Sequence, residues 1–218
     1  MQKIELRFKI KNLSSLTVGG TSASATVDTP FSSLGIPGST IKGVMRTAVS
    51  NMVSSGILKG YTSCNEIEPE MIIMKHKKMG GDCDVCKLFG YPEVEGRLFV
   101  GNIRLTKEKF KLTRVSIEDK TGKAKEGGLF SQEVIKPGEE FEGEVILDLA
   151  GLDEESKLKQ VKLLLSSILA LRFWRFGRGG MIDIKLEEGE KICKVIDCKN
   201  IGDLLNELGR WLYENSVS

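Results

Sequence analysis

Four residues in the first half of the chain are of the type and spacing to hold a metal ion. Cys64, His76, Cys83 and Cys86 follow the pattern C-x11-H-x6-C-x2-C, three thiolates and one imidazole, a donor set for a closed tetrahedral zinc site. Four protein ligands leave no open position to activate water, so an ion held here would be structural. It would replace the hydrophobic core that the stretch at about 60–90 lacks, where Cys, Gly, Met and charge interrupt the apolar pattern. His76 is the chain's single histidine, so a zinc role for it removes histidine acid–base catalysis. The two lysines that follow it also break the H-x-E pattern of a zinc deaminase. The competing reading is of unrelated cysteines in a mobile loop. Asp82, Asp84 and Glu93 flank the cluster and read as exposed charge rather than as supports for its ligands.

Asp28 is the one carboxylate in the stretch SLTVGGTSASATVDTPFSSLGIPGSTIKGVMRTAV, residues 15–49. A carboxylate in such a loop can bind Mg²⁺ or orient a ribose 2′-hydroxyl for attack on the neighbouring phosphate. An Asp before Thr-Pro is also a common turn initiator that bonds its own backbone. On the residues alone both readings stand.

Two further segments suit a polyanion. In GIPGSTIKGVMR the turn at Pro37 and Gly38 feeds a helix start, where free backbone N–H groups attract phosphate. Gly38 and Ser39 open that helix, and Lys42 and Arg46 lie four apart on one face of it. A capped helix with a solvated basic face is the plainer alternative, and no Walker loop is present. In RFWRFGRGGMIDIKL, Arg172, Arg175 and Arg178 alternate with Phe173, Trp174 and Phe176. Gly177, Gly179 and Gly180 then let backbone approach a ligand closely. Arginines beside aromatics and glycines fit a single-stranded RNA groove. Phe173 and Trp174 are assigned here to the core, which leaves Arg178 and Gly179 as the RNA side.

These groups need elements to position them. Residues 3–10 alternate Ile4, Leu6, Phe8 and Ile10, a strand with one buried face. Residues 40–55 carry Ile41, Val44, Met45, Ala48, Val49 and Met52 at helical spacing, with Ser39 or Thr40 as the expected N-cap. Stretches 97–105 and 141–149 read as strands, and the polar, glycine-punctuated segment between them reads as a hairpin. An apolar stripe from Leu158 to Leu171 predicts a long buried helix. Strands at 181–187 and 191–196 and a helix at 201–214 close the chain. This order predicts an α+β fold of the split βαβ kind. Cys193 and Cys198 admit a second metal site, a disulfide or packed thiols, and packed thiols is the reading preferred.

The 218 residues suffice for one domain with insertions and a core that needs no staples. A net charge of +2 means that nucleic-acid affinity must come from local basic patches. No apolar run approaches a membrane span or a signal peptide core. Five cysteines, an odd number, fit metal binding in a reducing compartment. A cytoplasmic protein is expected.

The segments IPGSTIKGVMRTAV, CKLFG, SIEDKTGKAKEGGLFSQEVIKPGEEFEGEVIL and FGRGGMIDI, in this order, resemble the RAMP superfamily. The resemblance spans nearly the whole chain and is nearest to the repeating backbone subunits of type III CRISPR–Cas effector complexes, the Csm-type backbone ribonuclease. It implies a modified ferredoxin-like (RRM-like) core over residues 1–218, with a zinc-binding insertion at about 60–90 and a thumb hairpin at about 108–140. It implies binding to CRISPR RNA and single-stranded target RNA, stacking of copies into a filament and contact with other Cas subunits. Lys123 and Lys125 in the thumb would meet RNA backbone. Catalytic members of the family carry an aspartate in the loop before IPGS, in a pattern resembling G-[IV]-D-[NT]-P. The TVDTP of this chain matches at Asp28 and implies target RNA cleavage dependent on Mg²⁺ or another divalent cation. The loop at 21–27 is richer in Ser and Thr and poorer in Gly than in typical catalytic members. A non-catalytic RNA-binding scaffold and a stand-alone ribonuclease that processes precursor CRISPR RNA are the alternatives.

Overall fold

The computed structural model describes residues 2–20, 26–92 and 94–213. The Ser/Thr-rich segment 21–25 and the flanking acid Glu93 lie outside the described residues.

The alternation read from the N-terminus becomes a ten-residue strand, β1 (Lys3–Asn12), in which Ile4, Leu6, Phe8 and Ile10 all point inward. It is followed by α1 (Gly38–Ser54), α2 (Pro69–Met79), α3 (Asp84–Phe89) and the short strands β2 (Gly90–Tyr91) and β3 (Val94–Glu95). Next come β4 (Leu98–Val100), β5 (Phe110–Ile117), β6 (Ala124–Val134), β7 (Glu140–Asp148) and α4 (Glu154–Ala170). β8 (Ile182–Glu187) and α5 (Gly202–Leu208) end the chain.

Four strands form one antiparallel sheet in the order β4-β7-β1-β8. Taken with α1 and α4 this is β-α-β-β-α-β with the first and third core strands at the centre, the ferredoxin-like split βαβ arrangement. The register sets inward residues against one another: Ile4 opposes Leu147, Leu6 opposes Val145 and Ile10 opposes Phe141. Phe8 faces Gly143, where an added Cβ would come within 2.5 Å of the Phe8 ring. α1 and α4 pack on each other and bury Ile41, Met45, Val49, Val161, Leu164, Leu165 and Ile168 in the same core. The outer face is charged, with Lys9 held between Glu187 at 3.1 Å and Glu142 at 3.6 Å. β5 and β6 pair in a separate two-stranded sheet, the predicted hairpin. Among the described residues no helix is long and apolar enough to cross a membrane.

Several expectations need correction. Neither Ser39 nor Thr40 caps α1. Pro37 holds the cap position without a side-chain bond, and the Gly38 N–H donates to Asn102 Oδ1 at 2.8 Å. An added Cβ at Gly38 would lie 2.1 Å from the Val100 carbonyl, so only glycine lets the helix begin this close to β4. The strand expected at 97–105 is correspondingly short, because residues beyond Val100 serve as a cap and as the isolated bridge Ile36–Ile103. The strand expected at 191–196 is a 3-10 helix at Gly189–Lys194. Ile192 and Ile196, four apart and both buried, carry the helical signal that the alternation concealed. The terminal helix is shorter than expected, and residue 214 lies outside the described residues. Cys193 and Cys198 are joined in a disulfide and are not packed thiols, since the turn between them brings the two side chains together.

Phe173 and Trp174 are also not core residues. Phe173 is 65% exposed and Trp174 38% exposed, whereas Arg172 is fully buried. Arg172 donates to Ile184 O, Glu207 O and Arg210 O and pairs with Asp183 at 3.0 Å. Asp183 Oδ2 in turn accepts from the backbone N–H groups of Leu212 and Tyr213. This network fastens the C-terminal segment to β8 and satisfies an arginine that burial would otherwise make costly.

Candidate metal centre and nucleic-acid interface

The four predicted ligands come from three places. Cys64 lies in the loop after α1, His76 in the last turn of α2, Cys83 at the N-cap of α3 and Cys86 inside α3. All four are buried, and their ligand atoms lie within 4.8 Å of one another. The Cys64 and Cys86 sulfurs are 3.6 Å apart, and the Cys86 N–H donates to Cys83 Sγ at 3.4 Å. The Cys83 thiol is lowered to about 4, chiefly by its hydrogen bond from the Cys86 side chain, with the Cys86 backbone N–H adding to it. Cys86 is pushed up by the same bond and then by burial. Without an ion the pair shares one proton; with one, all the thiols are drawn into the thiolate form.

The fit to a metal rests on His76. Both of its ring nitrogens are buried without a hydrogen-bond partner, a cost of about 1–3 kcal/mol for each unsatisfied group. Asp82 Oδ1 stands 3.2 Å from Nδ1, close enough for attraction but outside hydrogen-bond alignment. Tyr91 donates its hydroxyl to that same Asp82 oxygen at 2.8 Å and sets its ring edge-on to the imidazole. Asp82 is therefore set against His76 and Tyr91 and is not free surface charge, a placement from which a carboxylate can orient a histidine toward a metal. Asp84 is likewise buried and not exposed. Its Oδ2 accepts from the Thr62 N–H and hydroxyl at 2.8 and 2.9 Å, and its Oδ1 pairs with Lys159 at 2.9 Å. A buried Cys₃His cluster of this kind could bind a metal such as zinc.

Arg46 joins this cluster to α1. Its guanidinium donates to Gly90 O at 2.9 Å and to Cys86 Sγ at 3.2 Å, so two of its donors serve α3 and the residue that follows it. Lys42, one turn earlier, is half-buried; burial holds its ammonium below the usual range, Arg46 adds to that, and Glu95 opposes it. Ser39 is exposed at the helix start.

A second neighbourhood assembles around Asp28. Its exposed carboxylate takes both the Ser131 backbone N–H at 2.7 Å and the Ser131 hydroxyl at 2.9 Å on Oδ2. These two bonds, the backbone one first, hold Asp28 below the usual carboxylate range, with Lys111 adding a little. The loop is laced to β6 beyond this point: the Thr29 N–H donates to Ser131 O and the Phe31 N–H to Glu133 Oε2. The glycine-rich turn meets the same loop from the other end of the chain. The Arg178 N–H donates to Thr17 O at 2.9 Å, and an added Cβ at Gly177, with φ of 59°, would fall 2.2 Å from that carbonyl. The Arg178 guanidinium lies over Gly19. Gly179 has open space around it, and Lys123 and Lys125 are exposed on the far part of the hairpin.

The chain therefore carries a split βαβ sheet, a hairpin, an inserted cluster and a glycine-rich turn bound to the aspartate loop. The family model for the RAMP superfamily matches residues 9–180, most of the chain. The chain belongs to the RAMP superfamily. No curated protein matches it. Membership supports a CRISPR-associated, RNA-binding role with CRISPR RNA and Cas proteins as partners. Some RAMP proteins are ribonucleases. Ser131 and Asn102 are the participants that sequence reasoning missed. The adjacency of Asp82 to Cys83 places it beside the cluster in the sequence, where it reads as exposed charge, whereas the structure sets it against His76 and Tyr91. Ser131 lies 103 residues from its partner, and nothing local marks it.

Proposed function

We propose that this RAMP protein is a backbone subunit of a type III CRISPR effector complex that holds CRISPR RNA and cuts the paired target RNA at regular intervals, with Asp28 as the catalytic carboxylate. The observation that carries the reading is the placement of Asp28, exposed, ionised and pinned to the root of the hairpin that would enter between guide and target. A carboxylate so held can meet the scissile phosphate in a fixed geometry, and positioning of this kind supplies much of the rate in phosphoryl chemistry. Mg²⁺ or another divalent cation would neutralise charge on the phosphate, and a single carboxylate with substrate oxygens is an ordinary holding set for it. Gly38, Ser39, Lys42, Arg178 and Gly179, with Lys123 and Lys125, would contact RNA backbone. Arg46 would act chiefly as the link between α1 and the Cys₃His cluster, where zinc would have a structural role. Copies of the subunit would stack along the guide as a filament.

One observation favours a second reading. Asp28 Oδ2 is used by Ser131, so the aspartate could serve only to tether the loop, in a non-catalytic scaffold. Cleavage of a guide-complementary RNA by the reconstituted complex separates the two. The catalytic reading expects regularly spaced products in Mg²⁺, none in EDTA and none with Asp28→Ala, while guide binding is retained. Products unchanged in Asp28→Ala support the scaffold.

A further inference from the structure

Burial of Arg172 turns the end of α4 inside out relative to its sequence pattern: the cation goes into the core and the two aromatic residues after it go to solvent. Phe173 is 65% exposed and Trp174 38% exposed, adjacent in the chain at a sharp turn after the helix. Met181, 48% exposed, follows the glycine-rich turn. A soluble protein gains nothing by presenting a Trp and a Phe side by side, and such a patch marks a binding surface. Its charge indicates which kind. Arg175 and Arg178 follow the rings within five residues, are both exposed and take part in no ion pair among the described residues, and the Arg178 guanidinium lies over Gly19. The segment is also rigidly placed. Phe176 is fully buried and pairs with Gly180, and the Arg178 N–H is bound to Thr17 in the loop that leads to Asp28.

We infer that Phe173 and Trp174 form a stacking platform for unpaired RNA bases, with Arg175 and Arg178 holding the flanking phosphates. The inference rests on the RNA-binding reading above, which already uses Arg178, and extends it to the aromatic pair and Arg175 before the glycine-rich turn. Ring faces accept any base, so this site would favour single strands over duplex without reading sequence. A neighbouring protein surface is the other class of occupant for exposed aromatics, but it would be expected to meet the arginines with acids or leave them at the rim. Bases and phosphates occupy rings and guanidinium groups together.

The test uses the full chain and two labelled strands of equal length, an oligouridylate and an abasic ribose-phosphate strand. Stacking is worth about 1–3 kcal/mol per base, so Phe173→Ala with Trp174→Ala is expected to weaken oligouridylate binding on the order of tenfold or more. The same variant should leave binding of the abasic strand, the salt slope and the melting temperature unchanged. Arg175→Gln with Arg178→Gln should weaken both strands and reduce the salt slope by about 0.7 for each phosphate that is no longer neutralised. In a Trp211→Phe background Trp174 is the only tryptophan, and oligouridylate, but not the abasic strand, should quench its fluorescence. An aromatic variant that binds oligouridylate as wild type overturns the inference alone. The same follows if that variant loses self-association while its RNA affinity is intact, which makes the patch a protein interface. A wild-type chain that binds neither strand overturns the RNA-binding reading together with this one.

Discussion

Asp28 and Ser131 lie 103 residues apart and are joined through one carboxylate oxygen, which takes the Ser131 N–H at 2.7 Å and its hydroxyl at 2.9 Å. The pair connects the loop of the candidate catalytic residue to the hairpin, and so couples where the carboxylate sits to where the hairpin sits. Ser131→Ala removes the hydroxyl bond and keeps the backbone one. The carboxylate should then titrate nearer its ordinary value, and NMR titration of the Asp28 carboxyl reads this directly. The folded form of Asp28 is depressed, so its stabilising contribution is present above the unfolded value and is lost as pH falls through the folded one. The gap in melting temperature between wild type and Ser131→Ala should therefore be open at neutral pH and close in acid. A gap independent of pH would mean that the serine acts through packing alone.

Arg172 predicts a larger effect on the fold. Removing one partner of a buried ion pair costs about 3–5 kcal/mol, and Arg172 also supplies hydrogen bonds to three backbone carbonyls. Arg172→Ala should lose at least that much in urea unfolding. Arg172→Leu combined with Asp183→Leu should recover part of it, because neither charge is left buried alone. A loss below about 1 kcal/mol in Arg172→Ala would show that the network contributes little.

How much of this was legible in the sequence differs from element to element. β1 could be read because its period of two survives in a strand with one buried face. The Cys₃His cluster could be read because side chains suited to a metal stand out by type and spacing whatever the element that carries them. The end of α4 could not: its pattern shows arginines and aromatics in alternation, and which of them enters the core depends on Asp183 and Ile184 O in β8 and on the carbonyls of Glu207 and Arg210. The α1 cap was hidden for the same reason, since Asn102 replaces the serine and threonine that stand at the helix start. Interactions that close over long separations leave no local mark.

The disulfide gives a narrow prediction. Cys193 and Cys198 close a loop of only a few residues, for which chain entropy predicts about 2 kcal/mol. Cys193→Ser should lower stability by no more than that, and mild reductant should reproduce the change in wild type without altering its metal content. A much larger loss would mean that the bridge orders the whole C-terminal segment and not its own turn alone.

The metal centre allows the sharpest measurement of the fold. Both nitrogens of His76 are buried without hydrogen-bond partners, beside three buried thiols whose ligand atoms lie within 4.8 Å of one another. The unpartnered nitrogens cost stability in an empty site, and that cost is offset when an ion is bound. Purified protein should contain about one zinc per chain, and a strong chelator should lower its melting temperature on the order of 10 °C, since 1 kcal/mol corresponds to about 2–4 °C at this size. Cys83→Ser with Cys86→Ser should abolish zinc binding and melt where the chelated wild type melts. The loss should also be local at first, because the cluster joins α2 and α3 to the main core through Val85, Leu88 and Phe89. Hydrogen exchange should therefore quicken across 62–91 before it does in β1 and β7. Protein that carries no zinc, or a double variant as stable as wild type, would remove the metal and leave four buried side chains with no account of their arrangement.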